Sequence, residues 1–285
     1  MVGVLGVSAS AILVRFSQAP SGVTAAYRLG WTVLLLLPVV LLRCRAELRR
    51  VTARDLVLCG ASGVLLALHF LTWFESLKRT RVASSTVLVS TEVIFTALGF
   101  ALFLHGKIPR LGVWAILLAF GGSALLALSG GGGAGELSGN LLALAAASAA
   151  AVYTLIGRIQ RGHLSTTVYT FLTFLTYLAC FLTLLLGTAA AGTPLTGYGG
   201  REWLIGLALA VLCTLLGHSL FSWCLKYLSP SYVSAAKLCE PVFSSLAAIP
   251  LFGEVPGPLQ LAGGAAVLGA VLLYTWAERE KTPAG

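Results

Sequence analysis

Charge is what this sequence has least of. Asp, Glu, Lys and Arg together make up 10% of its 285 residues, whereas a soluble domain covers its surface with about 25% charged residues. Catalytic signatures are missing as well: there is no HExxH, no GxSxG and no carboxylate cluster at metal-ligand spacing, which argues against a membrane-embedded enzyme. No cofactor and no metal are expected. The six cysteines contain no CxxC pair; Cys59, Cys180, Cys213, Cys224 and Cys239 sit in apolar runs and Cys44 in a basic loop. They read as small buried hydrophobes, not as ligands or disulfides.

What fills the chain instead is apolar. Hydrophobic residues account for 58% and mean hydropathy is +0.92. A helix needs about 20 apolar residues to cross the hydrocarbon, and such runs recur along the whole chain. Ten spans are read: 2–17, 24–42, 55–77, 83–104, 111–128, 140–159, 165–190, 202–225, 232–251 and 257–276. The first, Val2 to Phe16, gives only about 22 Å of helix at 1.5 Å per residue, so the natural start of the chain is expected upstream. It has none of the charge-apolar-cleavage pattern of a removable signal peptide and should remain as a helix.

The basic residues set an orientation. Of 19 Lys and Arg, twelve fall on one side, many of them in "RCRAELRRVTARD", and six on the other, with Lys237 inside a span. By the positive-inside rule both termini are cytoplasmic, in a multi-pass protein of the cell membrane. The net charge of +9 then reflects topology and contact with the anionic lipid bilayer, not nucleic acid.

The chain also repeats. A shift of 148 residues sets "LKRTRVASSTVLVSTEVIF" (77–95) on "LKYLSPSYVSAAKLCEPVF" (225–243), and a one-residue gap then pairs "HGKIP" with "FGEVP". Five spans precede the loop "SGGGGAGELSG" and five follow it. Because five is odd, the second copy enters the membrane upside down relative to the first, as in many secondary transporters. The fold expected is an all-α integral membrane protein of ten transmembrane helices, built as two inverted five-helix repeats around a central cavity. The boundaries are 1–129 for the first repeat, 130–139 for a Gly-rich linker, 140–277 for the second repeat and 278–285 for a tail.

These residues resemble a known family. The paired "SxxxxxEPVF" and "FGEVP" stretches, "LHFLTWFESLKRTRVASS", "AVYTLIGRIQR" and "LLGHSLFSWCLKY" together resemble the EamA-type ten-helix members of the drug/metabolite transporter superfamily. The resemblance implies a cavity lined mainly by helices 1, 3, 4, 6, 8 and 9, and export of amino acids or related small metabolites. The first copy departs from the pattern, with Val93 at the place of Pro241 and Lys107 at that of Glu254. A proline hinge at Pro241 would therefore serve the second repeat alone.

The candidate site follows from the cost of polar groups in hydrocarbon, about 2.5–3.5 kcal/mol for a charged residue at mid-span. Ser234, Lys237, Glu240, Pro241, Ser244 and Ser245 fall within about 140° of arc on helix 9, and Ser85, Glu92 and Thr96 share one face of helix 4. Lys237 and Glu240 can neutralise each other at i, i+3, but that leaves Glu92 unexplained. The alternative places Glu92, Lys237 and Glu240 around one cavity. A substrate carboxylate would then meet Lys237, and a glutamate would accept a proton or a substrate ammonium.

Other intramembrane polar groups are read with less specificity. His69 with Trp73, and His218 with Trp223, can line the cavity from opposite repeats or serve as hydrogen-bonded structural residues. Tyr153 can reach the cavity, and Arg158 reads as a cytoplasmic anchor. Glu75 reads as an interfacial partner of Lys78, Arg79 and Arg81, and Arg15 and Arg28 as interfacial residues. A nucleotide-sugar or sugar-phosphate antiporter is the alternative within transporters, although its polyanionic substrate calls for several buried cations. A structural or signalling membrane protein is the alternative outside them. A monomer or weak dimer suffices, since the chain carries its own repeat.

Overall fold

The computed structural model describes residues 2–103, 108–129, 134–160, 164–190, 197–218, 220 and 239–279. The described residues are helical throughout, with no strand among them. The helices are α1 (Val2–Phe16), α2 (Ser21–Arg43), the short α3 (Arg45–Leu48), α4 (Ala53–Arg79), α5 (Val82–Val89) and α6 (Glu92–Phe103). They continue with α7 (Arg110–Ser129), α8 (Ala134–Gln160), α9 (Thr166–Ala190), α10 (Gly199–Ala208), α11 (Cys239–Phe252) and α12 (Pro258–Arg279). Among the described residues six helical stretches are long and apolar enough to cross a membrane, and four shorter apolar helices lie within the other expected spans.

Local chemistry explains the interruptions. The basic loop ends in a capping box: the Asp55 N–H donates to Thr52 Oγ1 at 3.2 Å and the Thr52 N–H to Asp55 Oδ2 at 2.9 Å, which starts α4. Between α5 and α6 the run "VSTEV" breaks the helix. Ser90 Oγ donates back to the Thr86 carbonyl and Thr91 Oγ1 to that of Leu88, competing with the backbone ladder. After α10 the backbone widens into π-helical turns over Leu209–His218. α8 begins at Ala134, inside the stretch expected as linker, where Thr80 Oγ1 donates to Asn140 Oδ1 at 2.9 Å and ties its first turns to the end of α4.

Packing follows small residues. A Cβ on Gly63 of α4 would lie 2.6 Å from the Thr173 carbonyl oxygen of α9, and one on Gly122 of α7 would lie 2.9 Å from that of Gly263 on α12. Only glycine permits these approaches, which is how helices associate where lipid gives no hydrophobic drive. Outside the bundle large apolar side chains stand open, including Leu42 at 83%, Val57 at 70% and Trp114 at 68% exposure. A water-facing surface would hide them; a lipid-facing one displays them.

The pairings come in couples. α4 packs on α8 and α1 on the π-helical turns after α10; α4 packs on α9 and α2 on α10; α6 packs on α8 and α1 on α11. α2 with α9 and α7 with α12 pair across the middle. Exchanging each span for the one five spans along turns the two members of each couple into one another and leaves α2–α9 and α7–α12 unchanged.

Candidate functional site

Among the described residues the most deeply buried charge is Arg28, 1% exposed. It lies on α2 with Thr24 and Thr32, one turn before and after it and equally buried, so a polar stripe at i, i+4, i+8 faces inward. Arg28 was expected at the interface; the structure corrects this. α2 starts at Ser21, three residues earlier than the expected span, which carries Arg28 seven residues, or about 10 Å, along the helix.

Three elements meet its guanidinium. Nε donates to Thr214 Oγ1 at 2.9 Å and Nη1 to Ser10 Oγ at 3.2 Å. Its plane lies over Phe70, 4.2 Å from the ring centroid, a cation–π contact strengthened by desolvation. Thr214 sits on the π-helical turns and donates to the Leu209 carbonyl five residues back, so the widened helix positions this hydroxyl. Phe70 stacks on Tyr177 with centroids 5.9 Å apart, and Trp73 stands 6.4 Å away. Glu240, in the first described turn of α11, is within electrostatic reach of Arg28.

The expected site residues divide among several places. His69 and Trp73 join the Arg28 cluster, stacked at 5.9 Å, with His69 Nδ1 3.0 Å from the Ala146 carbonyl. Glu92 accepts from Thr154 Oγ1 at 2.8 Å, between α6 and α8. Ser85 shares a 2.9 Å hydrogen bond with Ser76, back toward α4. The expected common face of Ser85 and Glu92 assumed a continuous helix, and the break at Ser90–Thr91 separates them. Ser244 is fully buried and donates to the Ser8 carbonyl at 3.2 Å. Tyr153 stacks on Tyr169 at 6.3 Å, and Tyr169 shares a 2.5 Å hydrogen bond with Ser62. Pro241 is buried near the start of described α11. Lys237, Trp223 and the His218 side chain lie outside the described residues, so the expected Lys237–Glu240 pair does too. Among the described residues no group of three His, Cys, Asp or Glu is placed to hold a metal ion.

A second polar assembly ties the bundle at the end where α1 and α4 finish. Arg15 Nη2 and Glu254 Oε1 are 2.6 Å apart, while Arg15 also donates to the carbonyls of Leu77 and Thr80. The other Glu254 oxygen accepts from the Val82 N–H at 2.8 Å. Here too an expected interfacial arginine has a structural partner, because the turn after α11 reaches over the end of α1. Ser17 Oγ donates to buried Glu202 at 2.6 Å, and Arg81 donates to Gln260. Glu75 pairs with Arg79 at 2.8 Å, as an interfacial residue should. At the opposite end the Ser165 N–H donates to Glu47, and Gln160 Nε2 to Asp55.

Comparison with known proteins sets this geometry in a family. The sequence matches the EamA-like transporter family over residues 1–128 and 137–276. It is similar to the pseudopaline exporter CntI of Pseudomonas aeruginosa, with 26% identity over 74% of this chain and 72% of that one. It is similar to a probable terminal-alkyne amino-acid exporter of Streptantibioticus cattleyicolor, with 27% identity over 79% and 75%. One solved crystal structure shares the fold with a TM-score of 0.66 at 18% identity, covering 99% of this chain and 96% of that one. The chain belongs to the EamA-like transporter family of the drug/metabolite transporter superfamily, as a multi-pass membrane protein that carries a small-molecule substrate.

Proposed function

We propose that the chain is a secondary transporter of the cell membrane, with cytoplasmic termini, that exports amino acids or related small metabolites by alternating access. The observation that carries this is the set of coupled helix pairings. Among the described residues, the principal contacts between the first five spans and the second five exchange with one another or map onto themselves when the halves are exchanged, whereas the smaller contacts of α7 with α8 and of α12 with α5 have no counterpart of similar extent. That arrangement suits two inverted repeats rocking about a shared centre. Relatives named as exporters of pseudopaline and of a terminal-alkyne amino acid support the direction and the substrate class.

Within this reading the Arg15–Glu254 assembly closes the outer face, and its separation accompanies opening to that side. Glu92, Lys237 and Glu240 form the coupling set, with one carboxylate left to take up a proton. A monomer is sufficient, and any dimer would be weak. The test is an untargeted measurement of metabolites excreted on overexpression, followed by uptake of those metabolites into vesicles holding the purified protein. Specific excretion of small amino-acid-like solutes supports the reading; vesicles that move none of the excreted solutes contradict it.

A further inference from the structure

We infer that the connection between α2 and α4 holds a binding site for one phosphodiester, the headgroup of an anionic phospholipid at the membrane face where α2 ends. This goes beyond the transporter reading, since it concerns a bound lipid and not the transported solute.

A cavity of about 560 Å3 lies there, lined by Arg43, Cys44, Ala46, Glu47, Arg50 and Leu164. Sites for small ligands span about 300–1,000 Å3, so a phosphate with its glycerol fits. α2 ends at Arg43, and the four-residue α3 turns the chain so that Arg50, beyond it, lines the same space. Leu164 is buried and comes from the link between α8 and α9. The Ser165 N–H next to it donates to Glu47 at 2.5 Å, which holds the two walls together.

The charges select the ligand. Arg43 and Arg50 are exposed, and among the described residues neither guanidinium has a hydrogen-bond or ion-pair partner. Glu47, the one acid of the lining, gives an oxygen to Ser165 and pairs with neither arginine. Two positive charges against one negative leave a single charge to balance, which is what a phosphodiester carries. Guanidinium forks meet phosphate oxygens with paired N–H bonds.

A lipid, and not a dissolved phosphate, is the source because apolar surface adjoins the charges. Leu41 and Leu42 immediately precede Arg43, and Leu56 and Val57 stand at the start of α4; all four are exposed. Acyl chains can lie along these turns while the headgroup reaches the arginines, as at other basic pockets beside membrane helices. A free phosphate gains nothing from them. That face is cytoplasmic in the orientation proposed above, and the site does not depend on it.

Cys44 lines the same cavity and is a free, half-buried thiol, so its modification reports occupancy. The purified full-length protein in neutral detergent is treated with a water-soluble maleimide, and the rate is read by mass on the Cys44 peptide, with and without each probe. Short-chain phosphatidylglycerol should slow the reaction at least about fivefold, the protection given by a ligand at about four times its Kd. Short-chain phosphatidylcholine, glycerol phosphate and inorganic phosphate at the same concentration should protect far less. Arg43→Gln with Arg50→Gln should abolish the protection. Arg49→Gln with Arg54→Gln removes equal charge from exposed arginines outside the lining and should leave it intact.

Equal protection by glycerol phosphate or inorganic phosphate makes a free phosphate the ligand and overturns the lipid assignment. No protection, equal protection by phosphatidylcholine, or equal loss in the two double variants overturns the site itself, the last by reducing it to general surface charge. If the Arg43 and Arg50 double variant fails to fold, Arg50→Lys keeps the charge and removes the fork; protection should weaken, and unchanged protection overturns the site. Lipid protection in a protein that transports nothing contradicts the exporter reading alone, and transport without lipid protection contradicts this site alone.

Discussion

Arg15 and Glu254, 239 residues apart in the chain, meet in a 2.6 Å ion pair that joins the end of α1 to the turn after α11. Both carboxylate oxygens are used, the second by the Val82 N–H, so Glu254 holds three segments at once. The side chains are 28% and 12% exposed, and solvent screening keeps the pair below the value of a fully buried one. Glu254→Ala should cost about 1–3 kcal/mol, read as a fall of roughly 2–10 °C in the unfolding temperature. Glu254→Gln keeps an acceptor for Val82 and should lose less than half as much. Equal losses in the two variants would show that the carboxamide cannot replace either contact.

Adjacent glycines on α7 give an internally controlled prediction. A Cβ on Gly122 meets Ala266, Gly263 and Val267 at 2.9 Å, whereas one on Gly121 meets nothing within 4 Å. Gly122→Ala should destabilise by about 1–3 kcal/mol through overpacking against α12, and Gly121→Ala should be neutral or stabilising by up to about 1 kcal/mol through helix propensity. Unfolding temperatures of the two variants, measured side by side, check the α7–α12 contact; similar values would mean these helices do not pack closely.

Much of this architecture is legible in the sequence because an apolar run of span length has few other uses, and the helices of the described residues lie within the apolar runs. The break between α5 and α6 was not legible. Its cause is a pair of side chain-to-carbonyl bonds at Ser90 and Thr91, and serine or threonine in a helix makes such bonds only in some contexts. Arg28 was misread because an arginine near a span end ordinarily snorkels. A signal was present all the same: Thr24, Arg28 and Thr32 repeat at helical spacing, and a polar stripe of that kind turns inward. Glu202 and Glu254 acquire partners only through folding, from Ser17 and Arg15 far away in the chain. Ser85 and Ser244 are both buried, and their hydroxyls bond Ser76 and the Ser8 carbonyl.

The coupling set makes a separate prediction. If Lys237 and Glu240 only neutralise each other, Lys237→Met combined with Glu240→Gln should retain transport, since neither charge is stranded. The coupling role predicts the opposite: a double variant that inserts normally and transports at less than about a tenth of the wild-type rate, an added barrier of about 1.4 kcal/mol or more. Glu92→Gln should flatten the pH dependence of transport. Initial rates across a pH series, at matched surface expression, provide the check.

Alternating access is tested most directly by locking the Arg15 face. In a cysteine-free background, Arg15→Cys with Glu254→Cys is bridged by a short bifunctional thiol reagent and the protein is reconstituted into vesicles loaded with an excreted substrate. Exchange of external labelled substrate for internal unlabelled substrate is then followed before and after reduction. Exchange should be lost in the bridged protein and restored when the bridge is reduced, because the halves must separate at this face in every cycle. Exchange at an undiminished rate with the bridge intact would contradict the account.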